Sequence, residues 1–182
     1  MGGTGLAGRH LFSLLSPHPL FLVTHVLGSP LSKGRPYREV WEEKERFLRK
    51  HYAPIPVPPL PYPPSAAPLL VTCASSLPPT TRYVFSCVAP SLGSLETELA
   101  ARGHRVVSIS PHGRAARNTV VPALNARALL PALLREPAAI IKSPNCAACG
   151  LAPVLLGLAG LAPLGRVVVT TMQSLSGRGD AV

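Results

Sequence analysis

Apolar positions along this chain fall into short runs that alternate between a repeat of about 3.6 residues and a repeat of about 2, the periods of helix and strand. A glycine-rich opening, "GGTGLAG" (2–8), leads into helical spacing over 9–15, which Pro17 and Pro19 end. The apolar run "FLVTHVLG" (21–28) follows as a strand, so the two read as the helix and second strand of a βαβ unit whose glycine turn comes first. Residues 38–50, "REVWEEKERFLRK", are so heavily charged that they predict a solvated helix. From 54 to 68 eight of fifteen residues are proline, which predicts an extended, polyproline-like insert. Order then resumes as a strand in "YVFSCVA" (83–89), a helix in "SLGSLETELAARGH" (91–104) closed by Gly103, and a strand in "RVVSIS" (105–110). "AAIIKS" (138–143) and "RVVVTTMQ" (166–173) add two strands on either side of a helix that opens at "NCAACG". Short joints between strand, helix and strand predict a parallel sheet and an α/β fold.

Composition narrows the possibilities. At 182 residues and 47% apolar content the chain is long and hydrophobic enough to bury a sizeable core. Its formal charge of +10 suits an anionic partner, but the basic residues are scattered and only 5% of residues are aromatic. Stacking platforms for nucleic acid are therefore poorly supplied, and no nucleic-acid partner is expected. The uncharged run 143–165 is long enough to span a bilayer, but Pro144, Pro153, Pro163, Asn145 and four glycines fit a buried helix and a turn better. No membrane association is expected. The start of the chain lacks a basic segment and a cleavage site, so no secretory leader is expected. Cys73, Cys87, Cys146 and Cys149 are too few and too unevenly spaced for a disulfide framework, which points to a reducing, cytoplasmic setting.

Two motifs carry chemistry. In "GGTGLAG" glycines permit close approach of the backbone to a pyrophosphate, while the N–H groups and dipole of the following helix attract its charge. In "SPNCAACG" (143–150), Cys146 stands at a helix start, where the dipole favours a thiolate. Its spacing with Cys149 leaves four readings open: a zinc half-site, a redox pair, one nucleophile with a bystander, or two small buried residues. A zinc site lacks a second Cys or His pair at suitable spacing, so no metal is expected.

Taken in order, "GGTGLAG", "VLGSPLSKGRPY", "VFSCVAPSLGSLETELAARGHRVVSIS", "VVPALN", "SPNCAACG" and "VVVTTMQSLSGRG" resemble aspartate-semialdehyde dehydrogenases of the archaeal and fungal type over most of the chain. The resemblance implies a Rossmann-like, NADP-binding α/β domain over 1–142, interrupted by the proline insert, with the nucleophile helix and the start of a catalytic and dimerisation domain over 143–182. It implies reductive dephosphorylation of L-aspartyl 4-phosphate to L-aspartate 4-semialdehyde through a cysteine thioester, on the route to lysine, threonine and methionine. Cys146 matches the nucleophile, Asn145 a residue that orients the acyl group, and Gln173 a neighbour of the substrate. Arg114 matches an arginine that holds phosphate, for which a fixed guanidinium fork is suited. Thr4, Gly5, Leu6, Ala7, Ser29, Ser32, Lys33, Ser86, Ser176, Gly177 and Gly179 match positions around NADP. Cys149 takes the place of a small helix residue.

The chain also departs from that family. The strand that precedes the glycine turn, central to the nucleotide-binding sheet, is missing. So is the second domain with its acid/base histidine and most of the oligomer surface, and none of the six histidines here matches that residue. Ala147-Ala148 replace Ser-Thr, Ile109 an asparagine, and Leu31 the arginine that meets the cofactor's 2'-phosphate, with Ser32, Lys33 and Arg35 nearby as substitutes. The expectation is an inactive fragment of the enzyme; the alternative is a catalytically dead nucleotide-binding or regulatory protein.

Overall fold

The structure, a computed structural model, describes residues 1–51, 59–64 and 69–172. It is mixed α/β with parallel strands in two sheets, consistent with a Rossmann-like fold. The chain divides into two compact units, Met1–Thr81 and Arg82–Val182.

In the first unit the glycine turn feeds α1 (Leu6–Leu15), and the short strands β1 (Val26–Leu27) and β2 (Val71–Thr72) pair in parallel, with Val26 opposite Val71. Between them lies α2 (Tyr37–His51). The sequence reading of α2 as a solvated helix is corrected here: Tyr37, Val40 and Trp41 are buried in the core. These positions stand at i, i+3 and i+4, one face of a helix, so the abundant charges occupy the rest of the circumference. Phe12, Val26 and Val71 complete the core. Its aromatic rings meet edge to face, Phe12 with Tyr37 at 5.1 Å between centroids and Tyr37 with Trp41 at 5.6 Å, the arrangement ring quadrupoles favour. Buried Arg9 stacks its guanidinium 5.4 Å from the Trp41 ring and pairs with Glu45, tying α1 to α2.

Most of the proline insert lies outside the described residues, but its described part is docked. Trp41 Nε1 donates to Leu60 O at 3.1 Å, and the Tyr62 ring sits 5.4 Å from that of Trp41. A proline-rich segment has few N–H donors to offer a sheet; here it supplies a carbonyl and a ring instead.

The second unit is a three-stranded parallel sheet in the order β3 (Tyr83–Ser86), β4 (Arg105–Ser108), β5 (Ile140–Lys142). Helix α3 (Ser94–Ala101) links β3 to β4 and packs on β4 and β5, α4 (Pro122–Leu133) precedes β5, and α5 (Cys146–Ala159) follows it. Gly103 ends the α3 turn at φ +89, a conformation that suits glycine. The expected strand over 166–173 is not formed in its described part: residues 163–172 have no regular structure and lie exposed. A strand exists only through its ladder, and this stretch has no ladder partner among the described residues. The strand expected over 21–28 is likewise confined to Val26–Leu27, where β2 offers partners.

The register of the second sheet sets Ser86 opposite Ser108 and Ser108 opposite Lys142, a row across the strands' C-terminal ends. All three side chains are buried, and all turn to one carboxylate, that of Glu96 on α3. Ser86 and Ser108 each donate to Glu96 Oε1 at 2.6 Å, and Lys142 Nζ pairs with Oε2 while donating to Ser108 Oγ at 3.1 Å. Burying two charges is costly, and the arrangement is stable only because each is neutralised and hydrogen-bonded.

Glu96→Gln leaves the Lys142 ammonium buried beside a neutral amide. It is expected to cost about 3–5 kcal/mol, read by urea unfolding under far-UV circular dichroism, and Glu96→Gln with Lys142→Met is expected to regain most of that loss. In the first unit Tyr37 donates its hydroxyl to Gly3 O at 2.7 Å. Tyr37→Phe should cost about 1 kcal/mol and leave far-UV circular dichroism unchanged; an undiminished unfolding midpoint would show that the bond contributes nothing.

Candidate active site

β5 delivers the chain to Asn145 and Cys146. Lys142 N donates to Asn118 O at 2.8 Å, Lys142 O accepts from Val120 N at 2.8 Å, and Ser143 N donates to Ser108 O at 2.8 Å. With the Lys142 side chain drawn down to Glu96, the strand end is held from both sides and from beneath. Pro144 is buried, and Asn145 then turns the chain in extended conformation (φ −58, ψ 146) to become the N-cap of α5. Asn145 Oδ1 accepts from Ala147 N at 2.9 Å and Asn145 O from Cys149 N at 2.8 Å. This satisfies one orphan donor of the first turn. Cys146, the first residue of the helix, is exposed, with Sγ 3.9 Å from Asn145 Oδ1. Asn145 and Cys146, paired in the sequence reading, are thus brought together at a helix N-terminus, whose partial positive charge attracts anionic groups.

Cys149 is exposed as well, so solvent access does not set Cys146 apart from it. Cys73 and Cys87 are half-buried, and burial pushes the Cys87 thiol above its ordinary value, with Glu96 adding to the effect.

Arg114 lies in the loop after β4. Its Nη2 donates to Ile109 O at 2.9 Å, while its Nε is buried without a partner. Asn118 braces the same loop, accepting from Ala115 N at 2.8 Å and donating to Gly113 O at 3.1 Å. The guanidinium is therefore held by one edge, leaving hydrogen-bonding capacity uncommitted.

In the first unit the glycine turn is built for close backbone approach. Gly3 N donates to Leu27 O at 3.0 Å, fastening the turn to β1. A Cβ on Gly8 would lie 2.1 Å from Gly2 O, and one on Gly3 would lie 2.7 Å from Val26 Cγ1. Helix α1 begins after Gly5 with no side-chain cap and no acid in its first turn, which leaves its positive end without a resident anion. Thr4 packs against Gly28: a Cβ there would sit 3.1 Å from Thr4 Cγ2. Gly28 leads into the 29–33 segment, in which the Ser29 and Ser32 hydroxyls are 3.5 Å apart and Lys33 is exposed. Arg35 is engaged, its Nη2 bound to Glu43 Oε2 at 2.8 Å, and this holds the Glu43 carboxyl below its usual range.

Ser86 is placed differently from a cofactor contact. It is buried and its hydroxyl is committed to Glu96. Gln173, Ser176, Gly177 and Gly179 lie outside the described residues. Sequence reasoning missed Glu96 and Lys142; the available signal was a lysine closing an otherwise apolar strand, a position that requires either solvent or a counter-charge. Among the described residues no cluster of three or more His, Cys, Asp or Glu could hold a metal, and no helix is long and apolar enough to cross a membrane.

No protein-family model matches the chain. Solved structures of similar fold include an aspartate semialdehyde dehydrogenase from Candida albicans with NADP, at 22% identity and TM-score 0.67 over 88% of this chain and 45% of that one. Aspartate semialdehyde dehydrogenase II from Vibrio cholerae matches at 21% identity and TM-score 0.72, over 99% of this chain and 47% of that one. The same Vibrio enzyme complexed with ASA matches at 19% identity and TM-score 0.71 over 99% and 47%. The chain spans less than half the length of these enzymes, and at such identities the likeness is one of fold: it has the fold found over nearly half of an aspartate semialdehyde dehydrogenase.

Proposed function

We propose that this chain is the cofactor- and nucleophile-bearing portion of an aspartate-semialdehyde-dehydrogenase-type enzyme, which reduces L-aspartyl 4-phosphate to L-aspartate 4-semialdehyde with NADPH and releases phosphate. The observation that carries the reading is Cys146, exposed at the N-terminus of α5 and capped by Asn145, at the C-terminal end of a parallel strand. Open α/β sheets bind their ligands at that end.

The cofactor fits the residues present: the glycines at 3 and 8 leave no room for a Cβ, and the uncapped start of α1 offers N–H groups to a pyrophosphate. Thr4, Gly5, Leu6 and Ala7 would hold it, with Ser29, Ser32 and Lys33 toward its 2'-phosphate. When bound it supplies the hydride that reduces the thioester. The chain's own part is acyl transfer. Cys146 attacks the acyl carbon, the C–O bond to phosphate breaks, and a thioester forms on Sγ. The helix N-terminus stabilises the oxyanion that develops during attack, while Asn145 steadies it by fixing the first turn. Arg114, with its uncommitted guanidinium edge, receives the phosphate. Structures of the same fold solved with NADP and with ASA support these ligand classes.

Within these 182 residues the six histidines offer no match to the family's acid/base, so this stretch by itself is expected to complete no cycle. With NADP, phosphate and semialdehyde its turnover is expected to fall at least about 100-fold below that of an intact relative; a rate within tenfold would sink that part of the proposal. Acylation of the thiol is read separately, by mass spectrometry after incubation with an acyl phosphate. Cys146→Ser should abolish the adduct and Cys149→Ala should leave it within a few-fold, whereas equal loss from both would remove Cys146 from the nucleophile's role.

A further inference from the structure

Cys149 has no part in the proposed acyl transfer, yet like Cys146 it is exposed, and it stands three residues further along the same helix. We infer that Cys146 and Cys149 form a reversible dithiol–disulfide site, in which Cys149 resolves an oxidised Cys146. Bond formation stands on geometry alone; its consequence, that oxidation takes the acyl acceptor out of service and shields it from irreversible damage, rests on the function proposed above.

Residues three apart on a helix have Cα atoms about 5 Å apart, inside the range of roughly 4.4–6.8 Å that a disulfide bridges. Both cysteines lie in the first turn of α5, Cys146 as its opening residue and Cys149 bonded through its N–H to Asn145 O. The N–H of Cys146 has no place in the helical ladder, so its backbone is held less tightly than that of a residue in the middle of the helix. The two residues between them, Ala147 and Ala148, carry only methyl groups. No bulky side chain stands in the intervening sequence. The other thiols are less suited: Cys73 and Cys87 are half-buried, and burial holds Cys87 in its protonated form.

The chemistry balances with hydrogen peroxide as oxidant. Cys146 Sγ attacks the O–O bond, taking one oxygen as S–OH, and the other leaves as water; sulfur is oxidised by two electrons and peroxide reduced by two. Cys149 Sγ then attacks that sulfur. The S–S bond forms, the S–O bond breaks, and the hydroxyl departs as water with the proton Cys149 gives up. A dithiol reductant returns both thiols.

The test uses the whole chain exposed to hydrogen peroxide, alkylated and cut with trypsin. Cleavage after Lys142 and Arg166 leaves both cysteines in one peptide, 143–166. The expected product is that peptide lacking two hydrogens, closed to alkylation, and restored by dithiothreitol. In Cys149→Ala and Cys149→Ser, checked for folding by circular dichroism, Cys146 should instead take up two oxygens as sulfinic acid. The inference is overturned if wild-type Cys146 gains two oxygens while Cys149 stays alkylatable, or if the disulfide joins Cys73, Cys87 or a second copy. Acylation of the reduced chain keeps the readings apart: a disulfide without acylation sinks the proposed function, and acylation without a disulfide sinks this inference.

Discussion

A single buried carboxylate organises the end of the sheet from which the turn bearing Cys146 emerges. Glu96 reaches down from α3 and gathers a hydroxyl from β3, a hydroxyl from β4 and an ammonium from β5. Each strand thereby contributes its last or nearly last side chain to one acceptor, and the three ends are brought level. Backbone ladders alone fix register along a strand but leave its terminal residues free to fray. The charge at Lys142 changes that for β5, because moving its end outward would strand an ion in an apolar interior. The turn that carries Asn145 and Cys146 therefore starts from a fixed point.

The first unit reaches similar rigidity by other means. Its strands are only two residues long, too short to organise much through hydrogen bonds, and the organising role passes to α2. Tyr37 presents a ring to the core and a hydroxyl to the glycine turn, so one side chain couples the packing to that backbone. Trp41 then extends the cluster outward to the docked prolines, joining a segment poor in donors to the core through its carbonyl and its faces.

The legible parts of the sequence were those governed by local rules. The glycine turn, the helix after it, α3 with its closing Gly103 and the helix start at Cys146 all follow from periodicity and from residues whose conformational roles are narrow. The α/β class and parallel pairing followed from their order. The remainder depended on partners far along the chain. Whether Tyr37 and Trp41 face water or core is decided by Phe12 and Val71, and the charged majority of α2 masked the apolar stripe. Ser86 reads as an open strand-end serine until Glu96, ten residues on, claims its hydroxyl. Residues 166–172 have the composition of a strand, but composition cannot supply a neighbouring edge.

The chain contains one tryptophan, and its position makes it a natural optical probe. Trp41 is fully buried, flanked edge-on by Tyr37 and Tyr62, with a guanidinium near its face and its indole N–H engaged. Its emission should be blue-shifted in the native state and should report the integrity of the glycine-turn unit selectively. The cysteine chemistry belongs to the other unit and has no indole of its own. Thiol modification and the folding of the aromatic core can thus be recorded from one sample through two separate spectroscopic channels, with no engineered label.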